Sequence, residues 1–229
     1  MRRTVRCLTL LSLAVSALGA DVEGVIRITK RLTRQRVALP ATAYQRGVAV
    51  PLASTATDDD ELSRVAIYLE GIDERETGGP VREIVQRGRQ FEPGLLIVPR
   101  GATVSFPNQD PIFHNVFSLS KTRPFDLGYF PKGETRTVNF TAPGIVEVYC
   151  HLHANMSATV VVTPNRWSAR PGADGRFRLT GIPAGDRPVA VWHRSAGLFR
   201  KTVHLREGEP AQVEFVIPVD VRVQPEVRR

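Results

Sequence analysis

Cysteine is almost missing from this chain. Two occur in 229 residues, and Cys150 alone lies beyond the first twenty. An iron–sulfur cluster, a redox dithiol and a binuclear copper centre each need more thiols than that. A structural zinc site ordinarily draws four Cys or His ligands from two paired clusters, and no such pairs are present. Long hydrophobic runs are also missing. The apolar run at residues 7–18 is too short to span a bilayer, and no second run follows it. Nor is there a Lys/Arg run interleaved with aromatics, so nucleic acid is not an expected partner.

What the N-terminus does have reads as a targeting segment. Arg2, Arg3 and Arg6 make a basic start, the short apolar run follows, and Leu18-Gly19-Ala20 ends it with small residues. Residues 1–20 are therefore expected to be a signal peptide cleaved near Gly19 or Ala20, giving a periplasmic or secreted chain with no integral membrane span. Without Arg2, Arg3 and Arg6 the 31 basic residues become 28, against 23 acidic ones, so the +8 of the whole chain falls to +5. That modest charge could steer an acidic partner, or simply be a basic surface.

Export changes the meaning of the lone thiol. In an oxidising compartment an unpaired cysteine is buried and inert, paired with another molecule, or occupied as a ligand. Around Cys150 runs Tyr149-Cys150-His151-Leu152-His153-Ala154-Asn155-Met156, and upstream lies Asn108-Gln109-Asp110-Pro111-Ile112-Phe113-His114-Asn115. Cys150, His153 and Met156 stand three apart, so one tight loop between strands can bring them to a point. His114 would come from another strand. Two imidazoles, one thiolate and a weak axial thioether make the donor set of a mononuclear blue-copper site.

Each member also has a plainer reading. Cys150 could be a small buried apolar residue and Met156 core filler, while His153 and His114 could be ordinary histidines. The loop spacing together with export favours a copper site at His114, Cys150, His153 and Met156. His151 is expected to point away, because neighbours on an extended strand face opposite sides. His193 and His204 are isolated in another part of the chain. The acidic run Asp58-Asp59-Asp60-Glu61 caps a short helical turn or is a solvated cluster, since consecutive carboxylates do not all face one ion.

These residues carry a family resemblance. The stretch 89–163 resembles the cupredoxins, the plastocyanin and amicyanin family of blue copper proteins, and its C-x-x-H-x-x-M loop is similar to the short amicyanin form. Phe106-Pro107-Asn108, Asp110-Pro111 and His114-Asn115 are similar to cupredoxin-like proteins labelled as methylamine-utilisation proteins. The resemblance implies one type 1 copper per chain and a Greek-key β-sandwich. It also implies electron exit through the edge of His153, within an apolar patch of Leu152, Ala154 and Pro111. Asn108 and Asn115 are the candidates for tying the upstream ligand segment to the Cys150 loop. Phe113, Phe117, Phe130 and Tyr149 are candidates for an apolar shell that limits water.

The rest of the chain also reads as strands. Short apolar or alternating stretches at 22–28, 65–71, 95–98, 102–106, 114–117, 135–140, 145–150 and 158–163 are separated by Gly/Pro turns. Beyond them come 176–179, 189–192, 199–205 and 211–217. The fold class is all-β: a cupredoxin sandwich at 81–163 plus a second, smaller sandwich. Residues 164–218 resemble the second half of a carboxypeptidase-regulatory-like, transthyretin-like module. Its first half is sought in residues 21–80, where Val65-Ala66-Ile67-Tyr68-Leu69-Glu70-Gly71 is similar to it, so the cupredoxin is expected to be an insertion. Residues 31–57 read as a long loop and 219–229 as a tail.

The expected function is that of an exported electron carrier, not an enzyme, serving a redox partner of the cytochrome or dehydrogenase class. Two other readings stay open: a periplasmic copper-binding or delivery protein, and an extracellular scaffold with a vestigial copper site. A Cys/His hydrolase is disfavoured, because Cys150 and His153 share one loop with no third orienting group.

Overall fold

The computed structural model of the chain describes residues 19–29, 61–74 and 79–218. The expected signal segment up to residue 18, the loop 31–57, Asp58 to Asp60 and the tail 219–229 lie outside them. Glu61 opens a single 3-10 turn, Glu61–Arg64. Among the described residues everything else regular is β-strand, and the fold is all-β. No helix of the described residues is long and apolar enough to cross a membrane.

The strands, in chain order, are β1 (Ala20–Ile28), β2 (Val65–Leu69), β3 (Arg82–Glu83), β4 (Val85–Arg87), β5 (Gln90–Glu92), β6 (Leu95–Pro99), β7 (Ala102–Pro107), β8 (His114–Ser118), β9 (Phe125–Phe130), β10 (Thr135–Phe140), β11 (Gly144–Tyr149), β12 (Ser157–Thr163), β13 (Ser168–Ala169), β14 (Arg176–Ile182), β15 (Gly185–His193), β16 (Gly197–Leu205) and β17 (Ala211–Ile217). Four sheets do most of the building. Their orders are β14-β1-β17, β13-β2-β15-β16, β6-β12-β11-β8-β9 and β10-β7-β3, and β4 and β5 form a small hairpin beside the last.

Side-chain alternation explains how these sheets stack. On β2, Val65, Ile67 and Leu69 point into one core with Val22, Leu179 and Phe215. The intervening Ala66 and Tyr68 point the other way, into a second core with Leu95, Val161, Ala190 and Trp192. On β12, Ala158, Val160 and Val162 enter a third core with Phe106, Phe140 and Val148. Successive residues of a strand face opposite sides of its sheet. The two middle sheets are therefore covered on both faces, and the four sheets lie in layers around three cores. This accounts for the uninterrupted apolar run of β2, which lacks the polar alternation of a half-exposed strand.

The strand at the start of the chain pairs with strands from its end. β1 runs antiparallel to β14 and parallel to β17. β2 pairs with β13 and β15. Residues 79–163 supply the five-stranded sheet, the sheet β10-β7-β3 and the small hairpin between those pairings. Gly24 marks a close approach within the first sheet. A Cβ there would lie 2.4 Å from the Phe177 ring and 2.7 Å from the Val213 carbonyl, so no other residue fits without displacement.

Candidate metal centre

The hairpin β11–β12 ends in the loop 150–156. Tyr149 opposes Ser157 across the strands, and the loop closes on itself through the Cys150 N–H to the Met156 carbonyl (3.3 Å) and the Met156 N–H to the His153 carbonyl (2.9 Å). His114 begins β8, which lies beside β11, with Phe117 opposite Tyr149. Loop and strand thus meet at one end of the five-stranded sheet.

There His114, Cys150 and His153 bring one donor atom each within 4.8 Å of one another. Cys150 Sγ lies 3.9 Å from His114 Nδ1 and 3.7 Å from His153 Nδ1. Two donors bound to one ion at about 2.3 and 2.0 Å, with about 120° between them, would stand about 3.7 Å apart. The spacing therefore fits a shared ion better than direct hydrogen bonds, and a nitrogen, nitrogen and thiolate set suits copper. His114 is wholly buried, Cys150 nearly so, and His153 half-buried. The two imidazoles meet edge-on, with centroids 4.8 Å apart. Met156 is fully buried in the same core as Cys150.

The far side of His114 is held by Asp110, which is not among the expected site residues. Asp110 Oδ2 stands 2.8 Å from His114 Nε2. The same carboxylate receives the Gly88 N–H on Oδ1 (2.6 Å) and the Arg89 N–H on Oδ2 (2.8 Å). Gly88 and Arg89 both have positive φ, 59° and 58°, at the β4–β5 turn. Burial pushes the Asp110 carboxyl up, but the Arg89 N–H, the His114 ring and the Gly88 N–H outweigh it and hold it below the usual carboxylate range. His153 is lowered by burial, then by the nearby His114 and Arg89 charges, with Asp110 opposing. The signal in the sequence was an acidic residue four positions before a candidate ligand histidine, in a segment with few other groups to hold the ring.

Asn115 Oδ1 faces the His151 N–H at 3.4 Å, between β8 and the Cys150 loop, and its Nδ2 donates to Asp126 Oδ1 at 2.6 Å. Asn108 does not reach that loop. It sits at the end of β7, in the opposite sheet, where its Nδ2 donates to the carbonyls of Ile112 and Phe130 and its Oδ1 accepts the Asp110 N–H. It shapes the segment before His114 instead. The expected apolar shell is also smaller than anticipated. Phe130, opposite His114 in the β8–β9 pair, is fully buried. Phe113 and Tyr149 are exposed, because both lie where their strand or loop faces outward. Pro111, Leu152 and Ala154 are exposed on the ligand-bearing segments.

His151 is exposed and outside the donor group. It stacks on Phe117 and lies 3.9 Å from Asp126. His204 pairs with Asp186 at the surface (2.7 Å), and buried His193 faces Glu61; among the described residues neither lies in a metal-sized group.

No family model matches the chain, and no curated protein matches it. Solved structures do. A purple cupredoxin from Nitrosopumilus maritimus is 24% identical, with 35% of this chain and 98% of that one covered and a TM-score of 0.34. A reduced, Cu(I) form of amicyanin is 20% identical over 42% of this chain and 97% of that one, with a TM-score of 0.35. A copper-containing nitrite reductase from Thermus scotoductus is 26% identical with a TM-score of 0.34; the match spans 35% of this chain and 22% of that longer one.

Proposed function

We propose that this chain is an exported copper protein that carries single electrons between redox partners and catalyses no reaction of its own. The observation that carries the reading is the convergence of His114 Nδ1, Cys150 Sγ and His153 Nδ1 in a largely buried pocket at ion-sharing distances. Met156, fixed in the core by the same loop, is the candidate axial donor. Bound copper would supply the Cu(II)/Cu(I) couple.

The protein's own part is to keep the donors still. His114 is clamped between Asp110 and the core, and Cys150 and Met156 are tied by the loop hydrogen bonds. Donors that cannot rearrange favour fast exchange, because little reorganisation accompanies a change of charge. Burial of His114, Cys150 and Met156 excludes water. His153 is the half-buried member, so its ring edge is the natural port. Pro111, Phe113, Leu152 and Ala154 offer an exposed, mainly apolar surface on the same segments, suited to the small, weak contacts of redox encounters. Arg2, Arg3 and Arg6 followed by a short apolar run support export. The second sandwich, with its transthyretin-like sequence, is assigned a supporting role.

The test is the visible spectrum of the purified protein with Cu(II), beside Cys150→Ala. An intense thiolate-to-copper band, bleached by reductant and absent from the variant, is expected. A colourless protein that still binds copper would replace the reading with copper delivery. Absence of binding would leave a scaffold.

A further inference from the structure

The contact between Asp110 and His114 goes beyond holding a side chain in place. Each Asp110 oxygen already receives a backbone N–H, from Gly88 or Arg89. The carboxylate is an acceptor on both sides, so the ring nitrogen facing it, Nε2, must be the donor. A neutral imidazole with its proton on Nε2 leaves the Nδ1 lone pair free, and Nδ1 is the atom turned toward Cys150 Sγ. The carboxylate thus selects the tautomer that binds metal. It is itself gripped by two successive left-handed residues, whose adjacent N–H groups form an anion-holding concavity. His114 is wholly buried, so water does not compete for Nε2.

We infer that Asp110 is a positioning residue which fixes His114 as an Nδ1 donor and, by its negative charge behind the ring, makes the site prefer Cu(II) over Cu(I). The second half rests on the copper reading above; the first does not. A carboxylate behind a ligating imidazole raises its basicity, and removal of such a partner costs about 10- to 100-fold in metal affinity. The more highly charged ion gains more from a stronger donor. Asp110 therefore lowers the reduction potential of the site.

The experiment has two parts. Nitrogen-15 NMR of the metal-free wild-type protein, with His114 assigned by its loss in His114→Gln, reports the tautomer of the neutral ring. An Nε2 proton in slow exchange is expected, and an Nδ1 proton would overturn the inference. Then copper affinities and potential are compared between wild type and Asp110→Asn. Cu(II) affinity should fall at least about tenfold more than Cu(I) affinity, which raises the potential by about 59 mV. A folded Asp110→Asn protein whose affinity ratio stays within about twofold of wild type would overturn it. If that variant does not fold, the wild-type tautomer decides alone. A colourless wild type with an Nε2-protonated His114 would remove the proposed function and leave the positioning role standing. A blue wild type with an Nδ1-protonated ring would do the reverse.

Discussion

His151 lies flat on Phe117: their ring centroids are 3.7 Å apart and their planes differ by 7°. The stack joins the Cys150 loop to β8 from outside the donor pocket. It also turns the imidazole that sits between Cys150 and His153 in sequence away from the three converging donors. His151→Ala should keep the copper stoichiometry and the thiolate-to-copper band, and should lower stability by about 0.5–1.5 kcal/mol, the range for an aromatic pair. Titration with copper and urea unfolding would check the two parts separately.

Met156 and His114 should separate cleanly in their effects. Met156→Leu conserves volume in a fully buried position, so the metal-free protein should lose less than about 1.5 kcal/mol. An axial thioether is a long, weak donor whose identity tunes the potential. The variant should stay coloured with an altered potential, whereas His114→Ala should lose the band. Voltammetry and absorbance together distinguish them.

The acid limb of stability should depend on His193. Its Nδ1 accepts the N–H groups of Ser195 and Ala196 at 3.1 and 3.2 Å, and its Nε2 lies 3.1 Å from Glu61 Oε2. Burial holds it below the ordinary histidine value of 6.5, with Glu61 opposing and Arg64 adding to the depression. Unfolding frees the ring to bind a proton, so its stabilising contribution is complete above pH 6.5 and is lost as pH falls toward the depressed folded value. Wild type should lose stability in that window with a slope approaching about 1.4 kcal/mol per pH unit. Urea unfolding of His193→Gln across the same range should show a shallower slope.

Trp192 tests the middle core. It packs with Tyr68, Leu95 and Val161 between the two central sheets. Trp192→Ala should destabilise by about 3–5 kcal/mol, as for a large buried aromatic. It should also broaden or split the thermal transition, because this core joins the sheet that carries Cys150 to the sheet that carries β15. Calorimetry would show whether the two halves then melt apart.

Much of this was legible in the residues. The strands at 95–99, 102–107, 135–140 and 157–163 follow from apolar alternation between Gly/Pro turns, and the loop Cys150-His151-Leu152-His153 showed its donor spacing directly. β9 was not legible, because Asp126 and Gly128 interrupt its apolar pattern. Gly128 has φ +66°, and Asp126 accepts its N–H. Nor was the grip on Asp110. It comes from the β4–β5 turn, 21 and 22 residues away, through backbone N–H groups rather than side chains. Asn108 serves a different network from the one its position suggests for a related reason: adjacency to His114 in sequence does not say which sheet a side chain faces.

The pairing of β1 sets an order in time. It lies between β14 and β17, so both of its neighbours are synthesised only after residue 175. Residues 79–163 find their partner strands among themselves much earlier. A growing chain can therefore close the half that carries His114, Cys150 and His153 while β1 still waits, edges bare, for β17 to arrive.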